Sequence, residues 1–422
     1  MKTVKNAKEC YIQILDDVLK EGHESKAGTT KSAGSEKITK DLWNYSIRIE
    51  KPHESVIQSK ISEFRTACAV SRFIWMMGAN NRIKDIEFYW GKNVGRFSDD
   101  EIIMPGSNYG ARMITPRPGM NQIESIIKRL KEDPTTRRAA ISIYHPEDAV
   151  RDSKDIPCAF GIFYTIRDGE LLTTIFMRSN NAKLLFPYNI FEFSLLSNVI
   201  ANEVGVKLGA IHFQSVSMHL YDYDFKAAKE IIDEDLDFLE FSNPIPDDNN
   251  PLSQIKELIK LEADLRHGSK GITKENVEDW ISKAKTTVDG YWLQHYLVLM
   301  HYVATKVAFD NEVALIIYNE LEPKWQALLT KPVVTKKSVT QNLFGDTEGK
   351  TISIQENGVQ KQIEQIDGHC KNNKEVDGKK ISLTEYLELK KRLINSRTLA
   401  ARDGNMISED QVVHTLKMIR NS

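Results

Sequence analysis

The chain has 422 residues, more than one average domain holds, so its length predicts two or three compact units. Its 57 Lys and Arg residues nearly balance 59 Asp and Glu residues, which excludes a strong overall field for nucleic acid or an anionic membrane. The cysteines, at positions 10, 68, 158 and 370, have no disulfide-scaffold or CxxC spacing, which predicts reduced thiols in a cytoplasmic protein. No apolar run is long enough to span a membrane, and we expect neither membrane contact nor a metal.

The first part of the chain has the mixed helix and strand signals of an α/β or α+β enzyme. Residues 9–21 carry apolar side chains at helical spacing, and a Gly, Ser and Lys-rich segment follows over residues 22–37. Residues 43–49 alternate as a half-buried strand does, and residues 64–77 return to a helical pattern.

A β-hairpin is the clearest local prediction. Residues 160–166 and 171–178 are apolar, β-rich runs joined by the Arg167-Asp168-Gly169 turn. This hairpin would place Cys158, just before its first strand, near Arg178 at the end of its second.

A long helix and a third strand are predicted after the hairpin. The segment that follows Pro187, NIFEFSLLSNVIANEVG, has helical apolar spacing and ends at Gly205, a residue suited to a helix C-terminus. Residues 209–216 read as the third strand.

The composition changes at residues 242–251, where Pro, Asp and Asn cluster. A domain boundary there would separate a first domain, residues 1–243, from a helical domain, residues 244–330. Residues 331–380 are predicted as a polar linker with a small hairpin at Glu356-Asn357-Gly358. Residues 381–422 are predicted as two closing helices, which begin at the capping boxes Ser382 with Glu385 and Ser408 with Gln411.

Seven short motifs in residues 8–225 together resemble thymidylate synthase and the related pyrimidine nucleotide hydroxymethylases. No single one is specific, but their order and intervals are those of the family. They are Lys26-Ala27-Gly28-Thr29, Tyr109-Gly110, Asp133-Pro134-x-x-Arg137-Arg138, Pro157-Cys158, Arg178-Ser179, Pro187-Tyr188-Asn189 and His219-Leu220-Tyr221. The resemblance implies a thymidylate synthase-like mixed sheet with packed helices, followed by a mostly α-helical extension.

Three residues are the predicted catalytic groups. A thiolate suits reversible addition at carbon 6 of uracil, which activates carbon 5, and Cys158 is the candidate. Arg178 would supply the neighbouring cation that favours the thiolate. The resemblance implies that Tyr109 assists proton removal at carbon 5. The alternative for Cys158 is a buried, inert apolar side chain.

A cluster of cations is expected around the 5′-phosphate, because a dianion in a closed site needs neutralising charges. The resemblance implies that the adjacent pair Arg137 and Arg138 reaches the phosphate from the other subunit of a homodimer. The resemblance also implies Lys26, Arg178 and Ser179 as phosphate ligands.

The base and the sugar are assigned to three further residues. The Asn189 amide can donate to a carbonyl and accept from a ring N–H, which matches the O4 and N3–H edge of uracil. A helix N-terminal cap is the alternative for Asn189. The resemblance implies that His219 and Tyr221 hold the ribose 3′-hydroxyl.

Four departures from the family pattern lie mainly on the folate side. Arg72 stands where the family has a catalytic glutamate, unless the helix register is displaced and Arg72 is exposed. Asn181 stands where an aspartate contacts the pterin. The other two are Ala159 in place of a histidine and Ser215-Val216-Ser217 in place of Gly-Gly-Asp.

Three functions follow as hypotheses. The first is a transferase that alkylates carbon 5 of deoxyuridylate with methylenetetrahydrofolate, forming thymidylate or hydroxymethyl-deoxyuridylate; a deoxycytidylate hydroxymethylase is its variant. The second is a non-alkylating nucleotide-binding module, in which the C-terminal helices contact a protein partner. The third keeps the thiolate addition but uses another electrophile or only exchanges the carbon-5 proton. Arg72 favours the second and third, whereas Cys158, Tyr109 and Asn189 favour retained chemistry.

Overall fold

The computed structural model describes residues 1–27, 37–57, 59, 61–62, 64–234, 241–246 and 250–334. The polar segment, its predicted hairpin and the two closing helices lie outside these residues, apart from residues 331–334. The strands are β1 Lys2–Val4, β2 His23–Ala27, β3 Lys37–Ile49, β4 Ala139–Ser142, β5 Ala159–Arg167, β6 Glu170–Met177, β7 Asn180–Asn181 and β8 Lys207–Tyr221. The α-helices are α1 Ala7–Glu21, α2 Thr66–Met77, α3 Ile83–Trp90, α4 Tyr109–Ile114, α5 Gln122–Glu132, α6 Phe186–Val204, α7 Phe225–Asp233, α8 Pro251–Gly268, α9 Val277–Thr287, α10 Gly290–Tyr302, α11 Asn311–Glu320 and α12 Pro323–Gln326.

A single mixed sheet organises the first part of the chain. Its main path runs β1-β3-β8-β6-β5-β4, with β2 paired to β3 and β7 paired to β8. The β6 and β8 strands are parallel neighbours, whereas β5 and β6 form the predicted antiparallel hairpin. The predicted fold class, a mixed sheet with packed helices, is confirmed.

Local backbone preferences account for two predicted boundaries. The hairpin turn places Asp168 at φ 52° and Gly169 at φ 79°, the left-handed pair that matches the twist of two antiparallel strands. Gly205, at φ 82°, ends α6 in the same left-handed region, which L side chains rarely adopt.

One face of the sheet is covered by helices, and much of the other is exposed. On the covered face, α6 is buried along nearly all its length, from Phe186 to Ala201. On the exposed face, β5 and β6 present aromatic rings to solvent: Phe160 is 55%, Phe163 46% and Phe176 38% exposed. The exposed rings of Phe163 and Phe176 meet edge to face at 5.7 Å.

The helices after residue 250 share the core of the sheet domain. Trp292 of α10 is fully buried and stacks on Phe73 of α2, with ring centroids 6.4 Å apart. Arg266 of α8 forms an ion pair with Asp85 of α3 at 2.6 Å. The compact unit extends from Met1 to Lys336, so the boundary predicted near residue 243 falls inside it.

Candidate active site

The hairpin brings Cys158 and Arg178 together, as the sequence predicts. Arg178 Nη2 lies 3.8 Å from Cys158 Sγ. The guanidinium is held by backbone carbonyls, because Nε donates to Pro157 O and Nη2 donates to Ile156 O, both at 2.9 Å. Arg178 also donates its backbone N–H to Cys158 O, so the strand ladder itself fixes the pair.

The pKa of the Cys158 thiol is raised, because burial outweighs the nearby cations. The guanidinium groups of Arg178 and Arg72 lower this pKa, but they do not reverse its direction. Arg178 therefore acts in the predicted direction on the thiol, although burial has the larger effect. Cys10 and Cys68 are more deeply buried, and burial raises the pKa of each of them as well.

Tyr109 lies at the start of α4, in the interior of the cleft. Its ring stacks on Phe193 of α6 with centroids 5.8 Å apart, and it is 5% exposed. Burial raises the pKa of Tyr109, Cys158 raises it further, and Arg72 lowers it. Tyr109, Cys158 and Arg72 are thus close enough to influence one another electrically.

The end of β8 presents His219 and Tyr221 on one side of the cleft. Ser179 Oγ lies 3.4 Å and Ser217 Oγ 3.5 Å from His219 Nδ1, and Ser217 donates to Asp41. Burial lowers the pKa of His219, and Asp41 acts in the opposite direction. A neutral imidazole at neutral pH suits a hydrogen bond to a sugar hydroxyl.

Asn189 is buried in the first turn of α6 and is not its N-cap, which is Leu185. Its Nδ2 donates to Asn180 Oδ1 at 3.0 Å, and its Oδ1 accepts from Arg72 Nη2 at 3.4 Å. Among the residues that the structure describes, one N–H and one lone pair of this amide remain for a uracil edge. Because Leu185 is the N-cap of α6, the cap alternative for Asn189 is excluded.

Asn181, the predicted folate contact, is buried in the turn before α6. Its Oδ1 accepts from the Leu184 N–H at 2.7 Å. In the part of the chain that the structure describes, its Nδ2 has no protein hydrogen-bond partner, so an amide donor remains for a ligand.

Arg72 points into the cleft rather than away from it, so its displaced-register alternative does not hold. Its side chain is 14% exposed, and Nε lies 2.7 Å from Oε1 of Glu192, a carboxylate that is 1% exposed. The Trp90 ring lies 5.7 Å from the guanidinium carbon. Burial raises the pKa of the Glu192 carboxyl, while Arg72 lowers it.

Sequence reasoning missed Glu192. The available signal is a single charged residue in the mostly apolar NIFEFSLL stretch, since a charged residue inside a buried helix needs a partner.

The remaining predicted phosphate ligands are exposed. Lys26 lies near the end of β2, and Arg137 and Arg138 precede the edge strand β4. The structure gives none of these three a contact with Cys158 or Arg178 within the described residues. They stay predictions.

The chain is similar to several known proteins over its first part. The family model described as thymidylate synthase matches residues 9–245, more than half of the chain. A deoxyuridylate hydroxymethyltransferase of Bacillus phage SP01 is 27% identical over 53% of this chain, and the match spans 60% of that relative, less than two thirds of its length. A putative thymidylate synthase of Methanothermobacter marburgensis is 26% identical over 54% of this chain and 96% of the relative. Thermostable thymidylate synthase A from Bacillus subtilis has 19% identity and a TM-score of 0.47, over 54% of this chain and 84% of that one.

The mixed sheet carries a thiol on its hairpin, beside a guanidinium, and a buried amide at the start of α6. The chain belongs to the thymidylate synthase family. The predicted family and fold are confirmed.

No helix among the described residues is both long and apolar enough to cross a membrane. Within those same residues, no group of three or more His, Cys, Asp or Glu side chains is placed to hold a metal ion.

Proposed function

We propose that this chain is a transferase that alkylates carbon 5 of deoxyuridylate after the Cys158 thiolate adds to carbon 6. The observation that carries the proposal is the cleft itself, in which Arg178 lies beside Cys158 and, among the described residues, the Asn189 amide retains one N–H and one lone pair. This arrangement matches a pyrimidine whose carbon 6 meets the thiol and whose O4 and N3–H edge meets the amide. The hydroxymethyltransferase name of the phage relative favours the same substrate class.

The protein groups have separate tasks in this proposal. Arg178 and Ser179 bind the phosphate together with Lys26, His219 and Tyr221 hold the ribose, and Tyr109 assists proton loss from carbon 5. The family uses methylenetetrahydrofolate, which supplies the one-carbon unit and, in methylation, a hydride. Asn181 fits this folate contact poorly, because its Oδ1 already accepts from the Leu184 N–H and its Nδ2 can only donate, whereas the family's aspartate accepts.

The proposed phosphate site needs a homodimer, because Arg137 and Arg138 would come from the partner subunit. The exposed aromatic face of β5 and β6 is the kind of apolar sheet surface that a second copy covers. Arg137 and Arg138 adjoin the edge strand of that sheet and would reach the phosphate of the partner subunit.

Tritium release from carbon-5-tritiated deoxyuridylate tests the proposal. Release without folate indicates thiolate addition, and a folate-dependent increase indicates transfer. Loss of both activities in Cys158→Ser is expected. A wild-type protein that neither binds deoxyuridylate nor releases tritium would contradict the proposal.

Hydroxymethyl-deoxyuridylate is the second candidate product, favoured by the name of the phage relative, and Arg72 inside the cleft argues against ordinary methylation. A guanidinium stays protonated and cannot exchange protons as a glutamate does. We therefore expect little thymidylate even at saturating folate. Mass spectrometry of the nucleotide product distinguishes a methyl from a hydroxymethyl group, and efficient thymidylate formation would overturn this expectation.

A further inference from the structure

The Arg72–Glu192 pair joins two helices inside the cleft and is not accounted for by packing alone. Glu192 lies one turn beyond Asn189 on α6, so both side chains face Arg72 of α2. Among the described residues, Glu192 Oε2 is buried without a hydrogen-bond partner. A buried carboxylate oxygen without a partner is costly, which points to a functional constraint at this place.

The Arg72 guanidinium has one ion-paired nitrogen and, among the described residues, one nitrogen without a partner. Its Nε is bound to Glu192, its Nη2 reaches Asn189 through a long hydrogen bond, and the Trp90 ring lies near its guanidinium carbon. In the described part of the chain, Nη1 has no hydrogen-bond partner. The guanidinium therefore retains N–H donors for a ligand that Asn189 also contacts.

We propose that Glu192 positions Arg72 so that its guanidinium stabilises the negative charge that forms on the carbon-4 oxygen of the pyrimidine when Cys158 adds to carbon 6. This inference rests on the proposed function, which places that oxygen at Asn189. Arg72 is then a catalytic residue that touches the substrate, and Glu192 is a positioning residue.

The chemical step balances without any further reactant. The thiolate sulfur forms a bond to carbon 6, and the electron pair of the carbon 5–carbon 6 double bond moves through carbon 4 onto its oxygen. A proton from water adds to carbon 5, the original hydrogen leaves carbon 5 to water, and expulsion of the thiolate restores the double bond. A fixed cation beside the oxygen lowers the barrier because the charge develops only during addition.

Folate-free tritium release isolates this step, and calorimetry reports deoxyuridylate binding separately. Arg72→Met should lower the release rate by about 100-fold or more, the usual loss for one donor to a developing oxyanion. Its deoxyuridylate affinity should change far less. Arg266→Met is the matched control, because it removes another buried, ion-paired arginine outside the cleft, and its release rate should stay near that of the wild type.

Glu192 variants test the positioning role. Glu192→Gln keeps an oxygen that accepts from Arg72 Nε and should retain most of the release rate. Glu192→Ala frees the guanidinium and should lose about as much as Arg72→Met. Millimolar guanidinium should partly restore release in Arg72→Ala but not in Cys158→Ser, a rescue that a merely structural arginine would not show.

The outcomes separate the two proposals. Folded Arg72→Met that binds deoxyuridylate and releases tritium at the wild-type rate overturns the inference and leaves the proposed function intact. If Arg72→Met fails to fold, wild-type release rates in both Glu192→Gln and Glu192→Ala overturn it instead. A wild-type protein without binding or release removes the proposed function, and the inference with it.

Discussion

Burial and charge oppose each other at the Cys158 thiol. Burial raises its pKa, and Arg178 at 3.8 Å lowers it, so the arginine partly offsets the effect of burial on the thiol pKa.

Arg178→Ala should move the alkylation of Cys158 to higher pH. Removing the cation raises the thiol pKa further, and each unit reduces the thiolate fraction at neutral pH about tenfold. Mass-spectrometric mapping of iodoacetamide labelling against pH measures this, with Arg48→Ala on the exposed sheet face as the control. An unchanged labelling curve in Arg178→Ala would mean that the guanidinium does not act on the sulfur.

Asn189→Asp should shift binding from the uracil toward the cytosine nucleotide. A carboxylate cannot donate to the uracil carbonyl but accepts from the cytosine amino group, and one unpaired buried polar group costs about 1–3 kcal/mol. Calorimetric titration with both nucleotides gives the ratio. A wild-type preference for deoxycytidylate would refute the role of Asn189.

Nearby sequence predicted some of these residues, whereas the roles of others depend on packing between elements that are distant in sequence. The hairpin turn at Asp168-Gly169 fixes which residues face each other, so the proximity of Cys158 and Arg178 followed from nearby sequence. The role of Glu192 depends on where α2 lies against α6, and no spacing within α6 reports that. The sequence predicted a cleft arginine at position 72 but not its partner.

At the scale of elements, α10 supports the helix that carries Arg72. Trp292 stacks on Phe73, the residue next to Arg72, and Trp325 and Phe241 extend the same core. The helical pattern of residues 252–329 was readable from apolar spacing. Its contact with α2 was not, because apolar periodicity identifies a buried face without identifying what covers it.

Trp292→Ala should destabilise the protein by about 3–5 kcal/mol, the usual loss for a large buried aromatic side chain. Urea unfolding measures the change, and Phe309→Ala, at a ring that is 79% exposed, is the control. Equal stability of the two variants would show that α10 does not support the α2 core.

At the scale of the whole molecule, pairing of two chains through the exposed sheet face would complete the proposed phosphate sites. Each proposed site needs Cys158 from one subunit and the arginine pair from the other. A mixture of Cys158→Ser chains with Arg137→Ala/Arg138→Ala chains should therefore regain up to about a quarter of wild-type tritium release through hybrid dimers.

Sedimentation of a Phe163→Asp/Phe176→Asp variant gives the complementary measurement. Two carboxylates on the aromatic face should produce a monomer with an intact fold. A hybrid mixture that regains nothing, from chains that do form dimers, would place Arg137 and Arg138 outside the partner's site.

The ion pair between α2 and α6 also constrains how this chain and its relatives can diverge. Arg72→Glu alone would leave two carboxylates together in the interior, and Glu192→Arg alone would leave two guanidinium groups. Breaking a buried pair costs about 3–5 kcal/mol, a large share of the stability of an ordinary domain. Substitutions at positions 72 and 192 should therefore covary across descendants, with lineages passing through neutral residues, and a glutamate at both positions should be rare.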